Sequence, residues 1–195
     1  LHIWSALSRG DPEDALDAVL SLRTPPFATR KSQKAHEMSN FPGLRDPIEF
    51  SNCMMVPDAD PTKARQFQLE FSGKPIPTSM TLLPSPELAT LATRLFRHHL
   101  LFLSGARPCK YPQVPALELI QVGQKNPLLR DEVYCQIMKQ LETTYQTSVG
   151  SKKMTLTWFL LSLCVEMMGP PSPELQNFLE YFLTKRGNDA VLRML

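Results

Sequence analysis

Four cysteines and one histidine pair are the residues best suited to nucleophilic or metal chemistry. Cys53, Cys109, Cys135 and Cys164 lie far apart, with no C-x-x-C pair and no histidine at metal-ligand spacing. Zinc is therefore not expected. Cys135 and Cys164 fall inside apolar helical runs, where a reduced thiol behaves as a small hydrophobe, and no disulfide framework is visible. In the pair His98-His99, His99 falls on a periodic apolar face and reads as a satisfied core histidine rather than a base. There is no glycine-rich phosphate loop. Neither catalytic residues nor a cofactor is expected, and the open alternative is a site assembled from residues distant in sequence.

The charged residues leave one further kind of chemistry, recognition. Lys plus Arg number 21 against 19 Asp plus Glu, for a formal charge of +2, which is far from the balance of a dedicated nucleic-acid binder. Basic character must be local. Lys152 and Lys153 stand at a helix start, Lys185 and Arg186 at a helix end, Arg107 and Lys110 in a loop, and Arg30, Lys31 and Lys34 in an irregular stretch. A cation at a helix N-terminus opposes the helix dipole, so Lys152 and Lys153 invite an anionic partner. The candidate partner-binding residues are thus Lys152, Lys153, Lys185 and Arg186, directed at an acidic peptide or the acidic surface of a filament.

The elements that position these groups are helical. The dipeptides Asp11-Pro12, Asp60-Pro61, Ser85-Pro86, Asn126-Pro127 and Ser172-Pro173 each join an N-cap residue to a proline at the first helical position, where no N–H is needed. Gly73, Gly105, Gly123, Gly169 and Gly187 follow the apolar runs where left-handed caps would end them. Leu88, Leu91, Ala92, Leu95, Phe96, His99, Phe102 and Leu103 keep the spacing of one helical face. A short helix is expected over 115–122, and a longer one from Asn126 to about Thr144 with the spine Leu129, Val133, Ile137 and Leu141.

From Ser151 to Met168 apolar residues surround the helix, Trp158 among them, which places it at the centre of the bundle with Trp158 buried. A last helix is expected over 173–185, and Asp189 opens one more. With 43% hydrophobic residues the chain is able to bury one core. The run from Met154 to Met168 is too short to span a membrane and Glu166 interrupts it, and no targeting peptide is visible. The expectation is an all-α, compact bundle of about six to eight helices. Residues 1–59 form a first helix over 12–22 and an irregular proline-rich arm, and residues 60–195 form the helical domain. The chain reads as a piece of a larger protein.

Within the longer helix, Leu129-Arg130-Asp131-Glu132-Val133-Tyr134-Cys135-Gln136-Ile137-Met138-Lys139-Gln140 resembles the LRDE(I/V)YxQ(I/L)xxQ signature of MyTH4 domains, found in the tails of unconventional myosins. Phe71 to Ser79 is similar to that family's opening stretch, and Leu88 to Leu103 to its second helix. Trp158 followed by Cys164 and Pro170-Pro171-Ser172 is similar to its ending. The resemblance covers about 66–186. It departs at Leu156-Thr157, where many members carry Arg-Gly.

By their own physics, Asp131 and Glu132 suit the first turns of a helix, and Arg130 suits a carbonyl or carboxylate of a neighbouring loop. Gln136 and Gln140, one turn apart, suit side-chain bonds between helices. The signature residues Leu129, Arg130, Asp131, Glu132, Tyr134, Gln136, Gln140 and Trp158 therefore read as packing rather than ligand contacts.

The resemblance implies a non-catalytic module that captures cargo together with a downstream FERM domain in the same chain. Some members also bind microtubules through basic patches. It implies a cytoplasmic, cytoskeleton-associated protein without membrane insertion. The proline-rich arm favours a class XV-like myosin of actin-rich protrusions such as stereocilia, with classes VII and X as alternatives. Other readings are a spacer that positions the FERM domain and a module of a non-myosin cytoskeletal regulator.

Overall fold

The computed structural model describes residues 36–53, 60–104, 111, 113–142 and 150–186, the side chains of 150–152 and 186 excepted. The expected helix over 12–22, the basic residues Arg30, Lys31, Lys34, Arg107 and Lys110, Cys109, Gly105 and everything from Gly187 on lie outside them. Seven α-helices occur among the described residues: α1 Pro47–Asn52, α2 Pro61–Leu69, α3 Pro86–Ser104, α4 Gln113–Lys125, α5 Pro127–Leu141, α6 Gly150–Leu163 and α7 Pro173–Arg186. A π-helical turn, Cys164–Met168, continues α6. The fold is all-α; among the described residues the one β-type pairing is an isolated antiparallel bridge between Leu44 and Thr81.

The helix starts follow local chemistry. Asp60 Oδ1 accepts from the N–H groups of Thr62 and Lys63, and Asn126 Oδ1 from those of Leu128 and Leu129. Ser85 Oγ and Ser172 Oγ accept more distantly, at 3.3 Å, from Leu88 N and Leu175 N. Each satisfies an N–H that the helix cannot. Asp46-Pro47 is a further case: Asp46 Oδ1 accepts from Ile48 N and Glu49 N and begins α1 inside the stretch expected to be irregular.

Residues 36–53 are not a loose arm. Phe41, Leu44 and Phe50 belong to the same buried cluster as the helices. Arg45 N–H donates to Met80 O at 2.8 Å, Leu82 N–H to Gly43 O at 2.9 Å, and the Arg45 guanidinium reaches Ser79 O and Ser79 Oγ. The segment 43–45 thereby stitches residues 79–82 in place.

Two glycines have unlike roles. Gly169 ends the π turn with φ 83° and ψ 175°, a positive-φ conformation open to glycine but more extended than the left-handed cap expected there. Gly123, expected to stop a helix, instead lies inside α4, where a Cβ would overlap the Met168 sulfur. It lets the π turn pack directly on α4, and Gln124 Nε2 donates to Met167 O at 2.6 Å across the same contact. Gly73 likewise ends nothing: α2 stops at Leu69, and Gly73 lies in open space.

The core is centred on α5 as much as on α6. All ten residues from Glu132 to Leu141 are buried, although four of them are polar or charged. In α6, Leu156 and Phe159 to Leu163 are buried, whereas Trp158, expected inside, is half-buried and packs at the core margin with its ring 6.4 Å from that of Phe182.

Candidate partner-binding site

Cys53 is free and exposed at the end of α1, whereas the two cysteines inside the bundle are poorly placed for covalent chemistry. Cys135 and Cys164 are fully buried, and burial pushes both thiols well above their ordinary range, away from the reactive thiolate. Among the described residues no group of three or more His, Cys, Asp and Glu is able to hold a metal ion, and no helix is long and apolar enough to cross a membrane.

His99 is buried in α3, but its two ring nitrogens have no hydrogen-bond partner among the described residues, contrary to the expectation of a satisfied histidine. The ring stands edge-on to Phe96, 6.2 Å between centroids. Burial pushes its pKa down to about 3. The unfolded chain therefore takes up a proton near pH 6.5 that the folded chain refuses, and stability falls as pH drops through that window. By pH 5 the loss is about 2 kcal/mol, since each pH unit below the unfolded value costs roughly 1.36 kcal/mol. Burial raises the Glu132 carboxyl, whose contribution runs with the opposite sign. Urea melts of the parent and of His99→Leu between pH 7 and pH 5 isolate the histidine: the parent should lose more stability than the variant by about that amount.

The signature side chains, by contrast, are all placed, and they converge on the fold itself. Glu132 Oε1 accepts from Met80 N at 2.9 Å and Gln136 Nε2 at 2.7 Å, while Oε2 accepts from Thr81 N at 2.7 Å and Thr81 Oγ1 at 2.6 Å. Gln136 Nε2 also donates to Ala92 O of α3, and Gln140 Nε2 to Ser72 O. Asp131 Oδ1 accepts from Ser172 N at 2.8 Å and sets the start of α7. Arg130 donates to Gly123 O and, at 3.4 Å, to Gln124 O and Pro170 O, so its cation sits on the C-terminal carbonyls of α4, the favourable end of that dipole. Tyr134 donates to Gly169 O at 2.6 Å. Leu129 is buried, with 1% of its surface exposed.

Lys139, between the two glutamines, is a functional group that the sequence reading misses. It is 3% exposed, and its ammonium donates to Phe67 O, Gln68 O and Glu70 O at 3.0, 2.9 and 2.5 Å, closing the C-terminus of α2. Lys139 lies on the face opposite the spine Leu129, Val133, Ile137 and Leu141, so its burial carries no signal in the spacing.

Of the four candidate basic residues, Lys153 is exposed in the first turn of α6, and Lys185 is exposed and paired with Glu37 at 3.6 Å. The side chains of Lys152 and Arg186 lie outside the described residues. The Trp158 ring lies 6.4 Å from that of Phe182, while α7 as a whole packs on α5 and on residues 38–40.

Beside Lys185 opens a cleft of about 240 Å³ where α2, α5 and α7 end. Met38, Leu69, Met138 and Phe182 supply apolar surface, and Glu37, Glu70 and Glu142 supply carboxylates. Tyr181 donates to Glu37 Oε1 at 3.5 Å on its rim. A smaller depression of about 80 Å³, with Phe67, Phe71, Pro75 and Pro77 in its wall, shares Glu70 and Lys139 with it.

Residues 116–194 match the family model of the MyTH4 domain. The chain is 36% identical over 156 residues, 80% of its length, to the high molecular weight form of myosin-1 from Acanthamoeba castellanii. It is 44% identical over 59 residues, 30% of its length, to unconventional myosin-VIIb from Mus musculus. The matched stretches span 9% and 3% of those relatives' own lengths.

Proposed function

We propose that this chain, which carries a MyTH4 domain of the kind found in myosin tails, holds a partner protein in concert with a downstream FERM domain. The domain itself is not catalytic. Coupling an actin-based motor to its cargo is the resulting role, and the proline-rich stretch before residue 60 favours a class XV-like parent of actin-rich protrusions such as stereocilia. The observation that carries the reading is the inward placement of the signature's polar side chains. With the motif engaged in the fold, recognition falls to the outer surface.

On that surface the acidic-partner reading rests on Lys152, Lys153, Lys185 and Arg186. Lys153 and Lys185 are exposed, which leaves both open to an anionic partner. Exposed ion pairs contribute about 0 to 1 kcal/mol each, so only a multivalent anion such as an acidic cargo segment or a microtubule gives useful affinity. Reversing all four charges should abolish salt-sensitive co-sedimentation with microtubules, or capture of an acidic peptide, without lowering the melting temperature. Equal binding by the parent and the fourfold variant at low salt would leave the second reading, a spacer that positions the FERM domain. The pairing of Lys185 with Glu37 is the feature that favours the spacer.

A further inference from the structure

The two depressions either side of Glu70 carry a different charge logic from the basic quartet. Both have apolar walls, Met38, Leu69 and Phe182 in the larger, Phe67 and Phe71 in the smaller. Phe67 and Phe71 are 40% and 41% exposed, unusual for phenylalanines in a fold with a well-filled core. Methionines at 38 and 138 give the larger depression an adaptable lining.

The cations in the lining are already engaged. Lys139 lies beneath the surface with its ammonium on three carbonyls and within Coulombic reach of Glu70, and Lys185 is paired with Glu37 at the surface. The group presented between the depressions is the half-exposed carboxylate of Glu70, touched by the neutral amide of Gln66. The helices α2, α5 and α7 end here, and helix C-termini carry partial negative charge. An incoming chain thus meets two partly apolar recesses with the Glu70 carboxylate between them.

We propose that this surface docks an extended segment of a partner protein in which a lysine or arginine stands between two apolar residues. In an extended chain, side chains at i and i+2 share one face, so the fitting pattern is apolar-x-basic-x-apolar. The basic head lies on Glu70 and the apolar residues fill the two recesses. This rests on the reading that the chain holds a protein partner, and adds the partner's chemistry.

The test is selection of a phage-displayed random dodecapeptide library on the whole chain, followed by fluorescence anisotropy of the consensus peptide. The expected consensus is a basic residue flanked at two-residue spacing by apolar ones. Binding should weaken about tenfold or more in Glu70→Lys, the effect of replacing one attractive exposed charge by a repulsive one. Phe71→Ser should weaken it at unchanged salt dependence and melt with the parent, and Glu70→Gln, which sets no second cation beside Lys139, should weaken it in the same sense as Glu70→Lys. An acidic consensus, or a consensus peptide that binds Glu70→Lys and the parent alike, overturns the proposal while leaving a partner-holding domain in place. Failure to select any peptide counts against both. Binding that emerges only when Arg30, Lys31 and Lys34 are changed to serine assigns the surface to the chain's own preceding segment and also overturns it.

Discussion

Replacing Glu132 with alanine should lower stability by about 2 to 6 kcal/mol. Its two oxygens accept four hydrogen bonds, two of them from the backbone N–H groups of Met80 and Thr81, which are 0% and 5% exposed. Those two N–H groups lose their acceptor once the carboxylate is gone, and each orphaned buried donor costs about 1 to 3 kcal/mol. Thr81 Oγ1 and Gln136 Nε2 suffer less, since a hydroxyl turns and Gln136 keeps Ala92 O. Glu132→Gln should fall between the parent and alanine. It retains one acceptor, but its NH₂ faces the Thr81 N–H. Urea midpoints of the three proteins should rank parent, glutamine, alanine.

The second large effect is at Lys139. Lys139→Met keeps the stem and removes the ammonium from Phe67 O, Gln68 O and Glu70 O, leaving the end of α2 without its donor. A loss of about 3 kcal/mol follows from three under-satisfied carbonyls at the low end of the usual range. The loss is local in character, because α2 is joined to α5 through this contact and to the segments around Arg45 and Met80 through Gln68. Limited proteolysis should therefore cut first within residues 60–75 in the variant. Lys139→Arg should recover only part of the loss, because a planar guanidinium does not converge on three carbonyls as an ammonium does.

Much of this fold is legible in sequence because it is written in local rules. Asp60, Ser85, Asn126 and Ser172 each precede a proline and each caps the helix expected after it. The same rule applied at Asp46-Pro47 would expose α1, but a six-residue helix is too short to show periodicity, and its surroundings lack it. Glycine is less informative. Gly169 and Gly123 look alike in sequence, yet one turns the backbone to positive φ and the other makes room for Met168, a difference that only the neighbour decides.

The candidate site is less legible still. The motif Leu129 to Gln140 reads as packing, but nothing in it tells which segments it fastens, since its partners lie 44 and 51 residues away for Gln136 and Glu132. Long-range partners leave no local trace. Lys139 escapes notice because a lysine on a helix is usually solvated, and the carbonyls that hold it come from 69 to 72 residues earlier. The cleft at the ends of α2, α5 and α7 is a product of three helix lengths together, which no single stretch records.

The signature helix is the internal fastener of this domain. Native-state hydrogen exchange at the amides of Met80 and Thr81 probes that statement directly, because both amides donate to Glu132 and to nothing local. They should exchange only with global unfolding, as slowly as the amides of α5, and Glu132→Ala should release them first. Rapid exchange of these two amides in the parent chain would contradict this arrangement, since Glu132 would then hold no such bonds and its motif would be free for a ligand.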